Sequence, residues 1–200
     1  MVKLKEKPMK KPTDKILIQG LVTVWQGEGK DKKIIFKNAE NRWVDAGLKG
    51  LIALLSGDYV YLNTWDAWVR DWDMYLGSDT ATATTHSMTA LTSPIGAAPG
   101  TAPNAKSGAA RSNPATGDWR TSVTAIWYAG TISGTVGEMA FYCKPFGTYW
   151  TFLWFRQLQS PSFPSAMVSR LSSADGDFGS FAIDISKSLT VQWEITITYV

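Results

Sequence analysis

A chain of 200 residues has room for one sizeable domain with a buried core and no need of disulfide or metal staples. Only 18% of it is charged, against roughly 25% in an average protein, while 12% is aromatic with ten tryptophans, the opposite of a disordered composition. One cysteine, Cys143, excludes an internal disulfide framework, one histidine, His86, excludes a two-histidine metal site, and no apolar run reaches the ~18 residues of a membrane helix, so a soluble chain is expected.

The net charge of +3 is unevenly placed: residues 1–37 hold ten of the 20 Lys and Arg against four acids, a local +6, and the rest of the chain sums to −3. Lys3, Lys5, Lys7, Lys10 and Lys11, interrupted by Pro8 and Pro12, form a basic arm over residues 1–14 that lacks the apolar surface to order itself. All of its positive charges are Lys, with no Arg and no aromatic interleaved, so the stacking half of a nucleic-acid signature is missing and a protein neighbour is the expected partner. No apolar stretch precedes a small-residue cleavage site, and an unprocessed chain is expected.

Residues 15–200 are expected to make one domain. Lys15–Trp25 and Lys33–Phe36, separated by the turn signal Gly27-Glu28-Gly29, read as strands. Val44, Leu48, Leu51, Ile52 and Leu55 fall on one face at helical spacing, so an amphipathic helix is expected near residues 42–55, with Asn41 as N-cap and Gly57 beyond its end. Tyr59–Leu62 and Trp72–Leu76 read as short strands around Trp65, Trp68 and Trp72. From Ser78 to Gly117, 33 of 40 residues are Ala, Gly, Ser, Thr, Pro or Asn, which predicts a long inserted loop lying across something. Thereafter Ser122–Tyr128, Glu138–Tyr142, Tyr149–Phe155, Ala166–Leu171, Phe181–Ile185 and Leu189–Tyr199 alternate with Gly, Pro, Ser and Asp clusters. That pattern predicts an antiparallel β-sandwich, jelly-roll-like, with Gly130–Gly134 as a hairpin loop. Leu189–Tyr199 alternates so regularly that one buried face (Leu189, Val191, Trp193, Ile195) and one wet face (Thr190, Gln192, Glu194, Thr196) are expected.

Catalytic chemistry finds little footing. His86 sits in the small-residue loop, where a base would lack fixed geometry. Cys143 closes an apolar run and reads as a small buried hydrophobe. No nucleophile elbow or phosphate-cradling loop is present, and no cofactor is expected. Asp175 and Asp177 flank Gly176 and are weak candidates for calcium, against the plainer reading of a solvated turn; Asp66, Asp71 and Asp73 read as solvent-facing residues around buried tryptophans. Trp65, Trp68 and Trp72 form an i, i+3, i+7 stripe that could pack in a core or interface, or stack on the sugar rings of a host-surface glycan.

The order of several motifs adds a further expectation. Gly47-Leu48-x-x-Leu51 ending in Leu54-Leu55-Ser56-Gly57, then Met74 to Thr80 opening the Thr/Ala-rich stretch, Gly134 to Met139, Ser169-Arg170-Leu171 and Ser188 to Ile197 together resemble the layout of small tail-fibre-like and virion structural proteins of tailed bacteriophages and related viruses. The resemblance covers roughly residues 38–200; the arm and the stretch 93–117 depart from it. It implies a non-enzymatic β-sandwich, assembled in the host cytoplasm into a virion and held by copies of itself and other virion proteins through the arm and the 78–117 loop. The alternative class is a receptor-binding carbohydrate module using exposed tryptophans.

Overall fold

A computed structural model describes residues 16–45, 47–48, 72–112, 119–143 and 166–199. The arm, Trp65 and Trp68, and the expected strands at 59–62 and 149–155 lie outside them. Among the described residues the protein is mainly β: β1 (Ile16–Gln26), β2 (Lys33–Glu40), β3 (Arg42–Trp43), β4 (Trp72–Gly77), β5 (Ala105–Ser112), β6 (Trp119–Trp127), β7 (Gly134–Val136), β8 (Glu138–Cys143), β9 (Ala166–Ser172), β10 (Phe181–Ile183) and β11 (Leu189–Tyr199). All pairs are antiparallel, in a five-stranded sheet ordered β2-β1-β11-β6-β5, a four-stranded sheet ordered β3-β9-β8-β4 and a small β10-β7 pair.

The two large sheets face each other across one core, because alternate residues of each strand are apolar. Val22, Val24, Val123, Ala125, Trp127, Leu189, Val191 and Trp193 come from the five-stranded sheet. Trp72, Met74, Leu76, Met139, Phe141 and Leu171 come from the other. Phe141 bridges the layers, its ring centroid 5.8 Å from Trp72 and 5.8 Å from Trp193. Trp127 and Trp193 are 0% and 1% exposed, and truncating such a side chain costs about 3–5 kcal/mol. The wet face expected for β11 is outward, though Thr190 and Thr196 are themselves buried on it.

The rims explain how the layers stay in register. On one side the chain passes from β2 to β3, and thus from one sheet to the other, with only Asn41 between. On the opposite side Lys106 of β5 reaches across to β4, its Nζ 2.8 Å from both the Trp72 carbonyl and Asp73 Oδ1. Both edges of the five-stranded sheet are bulged. β2 carries extra residues opposite Val22–Trp25, with Asn38 at φ 56°, and β5 carries one between Ser107 and Ala110. Bulges twist an edge away from pairing with another chain.

Three expectations change here. The helix predicted near 42–55 does not begin at 42: Arg42 and Trp43 pair with Arg170 and Ser169, and the helical residues described are Asp45, Gly47 and Leu48, with 49–57 outside the described residues. Sheet pairing takes the backbone groups an N-terminal turn would have used, the Val44 N–H also donating to the Val168 carbonyl at 3.1 Å. The 78–117 segment is not one structureless loop, since β5 lies in it and pairs with β6; its small polar residues satisfy an edge strand without a hydrophobic signature. Gly130–Gly134 is not a hairpin loop, because β6 lies between β11 and β5 whereas β7 pairs with β10.

Gly100 marks where the segment turns back under the body. It holds φ +142°, and a Cβ there would stand 2.9 Å from the Tyr75 Cβ. Gly100→Ala is expected to destabilise the fold by about 1–3 kcal/mol, read as a lower urea midpoint at unchanged slope; an unchanged midpoint would contradict the close approach.

Candidate functional site

Two regions concentrate polar side chains under geometric control. The first is the outer face of the four-stranded sheet. Because β8 and β9 alternate, Met139, Phe141 and Leu171 point into the core while Glu138 and Arg170 point out, and a bulge at Val168 keeps β9 in phase. Yet both outward residues are fully buried, as their side chains are covered by residues 78–95 of their own chain. Arg170 Nε and Nη2 donate to Glu138 Oε2 at 3.0 and 2.7 Å. Its Nη1 donates to the Thr82 carbonyl and Thr84 Oγ1, both at 3.0 Å. Glu138 in turn accepts the backbone N–H of Ser93 at 2.7 Å and of Thr92 at 3.1 Å.

This pair therefore works as a double-ended staple. At one end of the strap the Leu76 carbonyl accepts the Ile95 N–H and Ser93 O accepts the Ser78 N–H; in its middle the Tyr142 hydroxyl accepts the Leu91 N–H at 3.1 Å. Beneath it Val44, Tyr75, Leu91, Ala140, Tyr142 and Met167 form a second small apolar cluster. Asp175 and Asp177 extend the network. Asp175 Oδ2 accepts the Thr84 N–H at 2.9 Å, Asp177 Oδ2 accepts the Ser172 N–H at 3.0 Å, and both carboxylates face Arg42 Nε at 3.5 and 3.7 Å.

That arrangement corrects the solvated-turn reading of Asp175 and Asp177, whose side chains are 5% and 10% exposed. Their oxygens hold backbone N–H groups and an arginine. Among the described residues no group of three His, Cys, Asp or Glu side chains is placed to hold a metal. Asp73 is likewise not solvent-facing: it is 1% exposed, accepting from Tyr75 Oη at 3.0 Å as well as from Lys106. Trp72 is 3% exposed and stacked in the core, so it offers no face to a sugar ring or a neighbour. His86 is exposed and contributes its carbonyl, which accepts the Asp45 N–H at 2.9 Å. Cys143 ends β8 opposite Trp72 and Ala166, with its side chain outside the described residues.

The second region is a depression of about 480 Å³ on the outer face of the five-stranded sheet. The outward row of β1 (Gln19, Leu21, Thr23, Trp25) and that of β11 (Gln192, Glu194, Thr196) line its floor, and the β2 bulge supplies Lys37 and Asn38 as its wall. Asn38 is held by the Thr23 hydroxyl, which accepts its N–H at 3.2 Å. Gln19 Nε2 donates to Glu40 Oε1 at 2.6 Å. Lys32 Nζ stands 4.7 Å from the Trp25 ring centroid. Gln192, half-buried at the centre, makes no side-chain hydrogen bond among the described residues.

Neither region stands out in the sequence. Glu138 and Arg170 are single charges inside apolar strands, a signal of buried pairing only once the two strands are known to be neighbours. Trp25 closes a run whose outward row mixes Gln19 and Thr23 with Leu21 and Trp25, so its outward face has no clean alternation to mark it.

Two carboxyls of this network, Asp79 in the strap and Asp177 beyond β9, titrate in opposite directions. Burial raises Asp177 above its ordinary 3.8, offset only in part by the Ser172 N–H and Arg42. Burial also acts to raise Asp79, but the Thr82 and Ala81 N–H groups and Arg170 outweigh it and hold that carboxyl below 3.8. A raised folded-state value means the folded chain holds its proton longer, so stability falls as pH rises. The native protein is expected to lose stability relative to Asp177→Asn as pH climbs from 3.8. Its advantage over Asp79→Asn should be present above 3.8 and vanish as pH falls through the Asp79 value. Thermal melts across acid pH read both, and same-sign differences would contradict the assignment. Arg170→Met, which strands Glu138 in the interior, should cost about 3–5 kcal/mol and open residues 78–93 to limited proteolysis; a protected strap would show that the staple is not what holds it.

No protein-family model, no curated protein and no solved structure matches this chain.

Proposed function

We propose that this chain is a structural subunit of a virion, in the tail, a fibre or on the head surface of a tailed bacteriophage or related virus, and that it works by assembling with copies of itself and with other virion proteins. The motif layout described above supports the reading, and one observation carries it on the geometric side. Ile34, Tyr128 and Ile185, which are 51%, 51% and 52% exposed, all lie at one end of the sandwich. That is the end where β1 finishes, β2 begins, β6 finishes and β11 begins, as the Trp25–Ile34 and Trp127–Leu189 pairings and the Gly130 N–H to Ile185 carbonyl bond of 2.8 Å place them. Three of the five large hydrophobic side chains exposed among the described residues lie together here, the others being Leu17 and Leu48, and apolar surface grouped in this way is surface that a neighbouring subunit would cover.

In this reading the arm, with Lys3, Lys5, Lys7, Lys10 and Lys11, anchors the subunit on an adjacent acidic surface. The first half of the 78–117 segment packs on its own four-stranded sheet, so in this reading it would meet a neighbour with the side that faces away from that sheet. The body is read as jelly-roll-like, the chain passing between the sheets at β2–β3, β4–β5, β6–β8 and β9–β11.

Light scattering on the eluted native chain is expected to show an oligomer, and Tyr128→Asp with Ile185→Asp is expected to shift it toward monomer without changing its circular dichroism. A native chain that stays monomeric at high concentration would count against assembly through this end. Removing residues 2–14 should lower incorporation into particles; unchanged incorporation would remove the arm's anchoring role.

A further inference from the structure

We propose that Lys106 and Asp73 join in an intramolecular isopeptide bond, a covalent strut that the chain makes for itself between its two sheets. The proposal does not rest on the assembly reading, since it concerns a bond within one chain.

The position comes first. On the β2–β3 side Asn41 joins the sheets through the backbone, and on the opposite rim the Lys106 side chain reaches from β5 to β4. With Cys143 the sole cysteine, a disulfide cannot fasten that rim. An amide between Lys106 and Asp73 would fasten it and close a loop spanning 33 residues, restricting the unfolded chain as a disulfide does.

The geometry supplies the reacting groups. Lys106 Nζ lies 2.8 Å from Asp73 Oδ1, one covalent bond from Cγ, and a second hydrogen bond of 2.8 Å to the Trp72 carbonyl steadies it there. Reacting atoms held at about 3–3.5 Å in one orientation have the entropy of their encounter already spent. On the far side of the carboxyl, Oδ2 accepts the Tyr75 hydroxyl at 3.0 Å, and the Tyr75 ring is itself packed edge-on against Tyr142 at 5.2 Å. Asp73 is 1% exposed and the Trp72 ring centroid stands 5.6 Å from Nζ. Such surroundings penalise the charged pair relative to the neutral amine and carboxyl that react.

The step balances without a co-reactant. A proton passes from Nζ to Oδ1 along their hydrogen bond, leaving a neutral amine and a neutral carboxyl. The Nζ lone pair attacks Cγ and forms the N–C bond, while the displaced carbonyl electrons rest on Oδ2, where the Tyr75 hydroxyl stabilises them. A second proton moves from Nζ to Oδ1, the Cγ–Oδ1 bond breaks with its electron pair, and the carbonyl re-forms at Oδ2. Oδ1 departs as water through the rim, where 33% of the Lys106 side chain is exposed. One ammonium and one carboxylate become one amide and one water, and nothing is oxidised or reduced.

The test is mass spectrometry on the purified full-length chain, which is expected to be lighter than its sequence by one water. Trypsin localises the loss. Residues 71–111 should persist as one peptide lighter by a water, because an acylated Lys106 is no longer a cleavage site, instead of separating into 71–106 and 107–111. Lys106→Arg keeps the positive charge beside Asp73 but offers no amine that can form this bond, and should restore the full mass; should it fold poorly, the 71–111 peptide of the native chain decides alone. Tyr75→Phe keeps both reacting groups and should slow the water loss by about tenfold or more in freshly expressed protein. A native chain of full mass that trypsin cleaves after Lys106, a water loss that persists in Lys106→Arg, or a rate unchanged in Tyr75→Phe would each overturn the reaction as written.

Discussion

The covering of the four-stranded sheet's outer face depends on one buried ion pair. Glu138 and Arg170 are both 0% exposed, on strands that bring them diagonally together across the outer face of the four-stranded sheet. A pair like this contributes little net stability, since desolvating two charges costs nearly what their attraction returns, but removing either partner leaves an uncompensated charge in the interior. The fold must therefore keep the pair covered and fully hydrogen-bonded. Residues 78–95 do both, donating two backbone N–H groups to Glu138 and accepting from Arg170 at Thr82 and Thr84. The ion pair thereby fixes the path of a segment whose own large apolar anchors are few, Met88, Leu91 and Ile95.

The four-stranded sheet is sealed on its inner face by the main core and on its outer face by the strap, which is why every residue of β4 is buried. Lys106 clamps the free rim. The five-stranded sheet carries the shallow depression on its outer face, and its bulged edges discourage pairing with foreign strands while shaping the wall of that depression.

Much of the β framework was legible in the residues. Leu189–Tyr199 is a strand with the expected bounds, and Lys15–Trp25, Trp72–Leu76, Glu138–Tyr142 and Ala166–Leu171 each differ from the observed strands by a residue or two, because half-buried strands alternate and β-branched runs report them. β5 was not legible, since Ala-Lys-Ser-Gly-Ala-Ala-Arg-Ser has no alternation and draws its order from β6 alone. Arg42–Trp43 was misread because the helical spacing from Val44 onward was extended backward over two residues that pair with β9. Asp73, Asp175 and Asp177 were placed in solvent on composition, where partners distant in the chain bury them.

The sequence by itself determined the class: an aromatic-rich, charge-poor body of alternating strands around one core, with its basicity set apart in an arm. Periodicity is a local property, so residues a few positions apart suffice to read it. Only the tertiary structure decided which charges are inside and where the small-residue segment lies. Those depend on Glu138 meeting Arg170 and the strap across 32 and about 45 residues of chain, contacts whose strength comes from a low-dielectric interior that exists only after the sheets have closed.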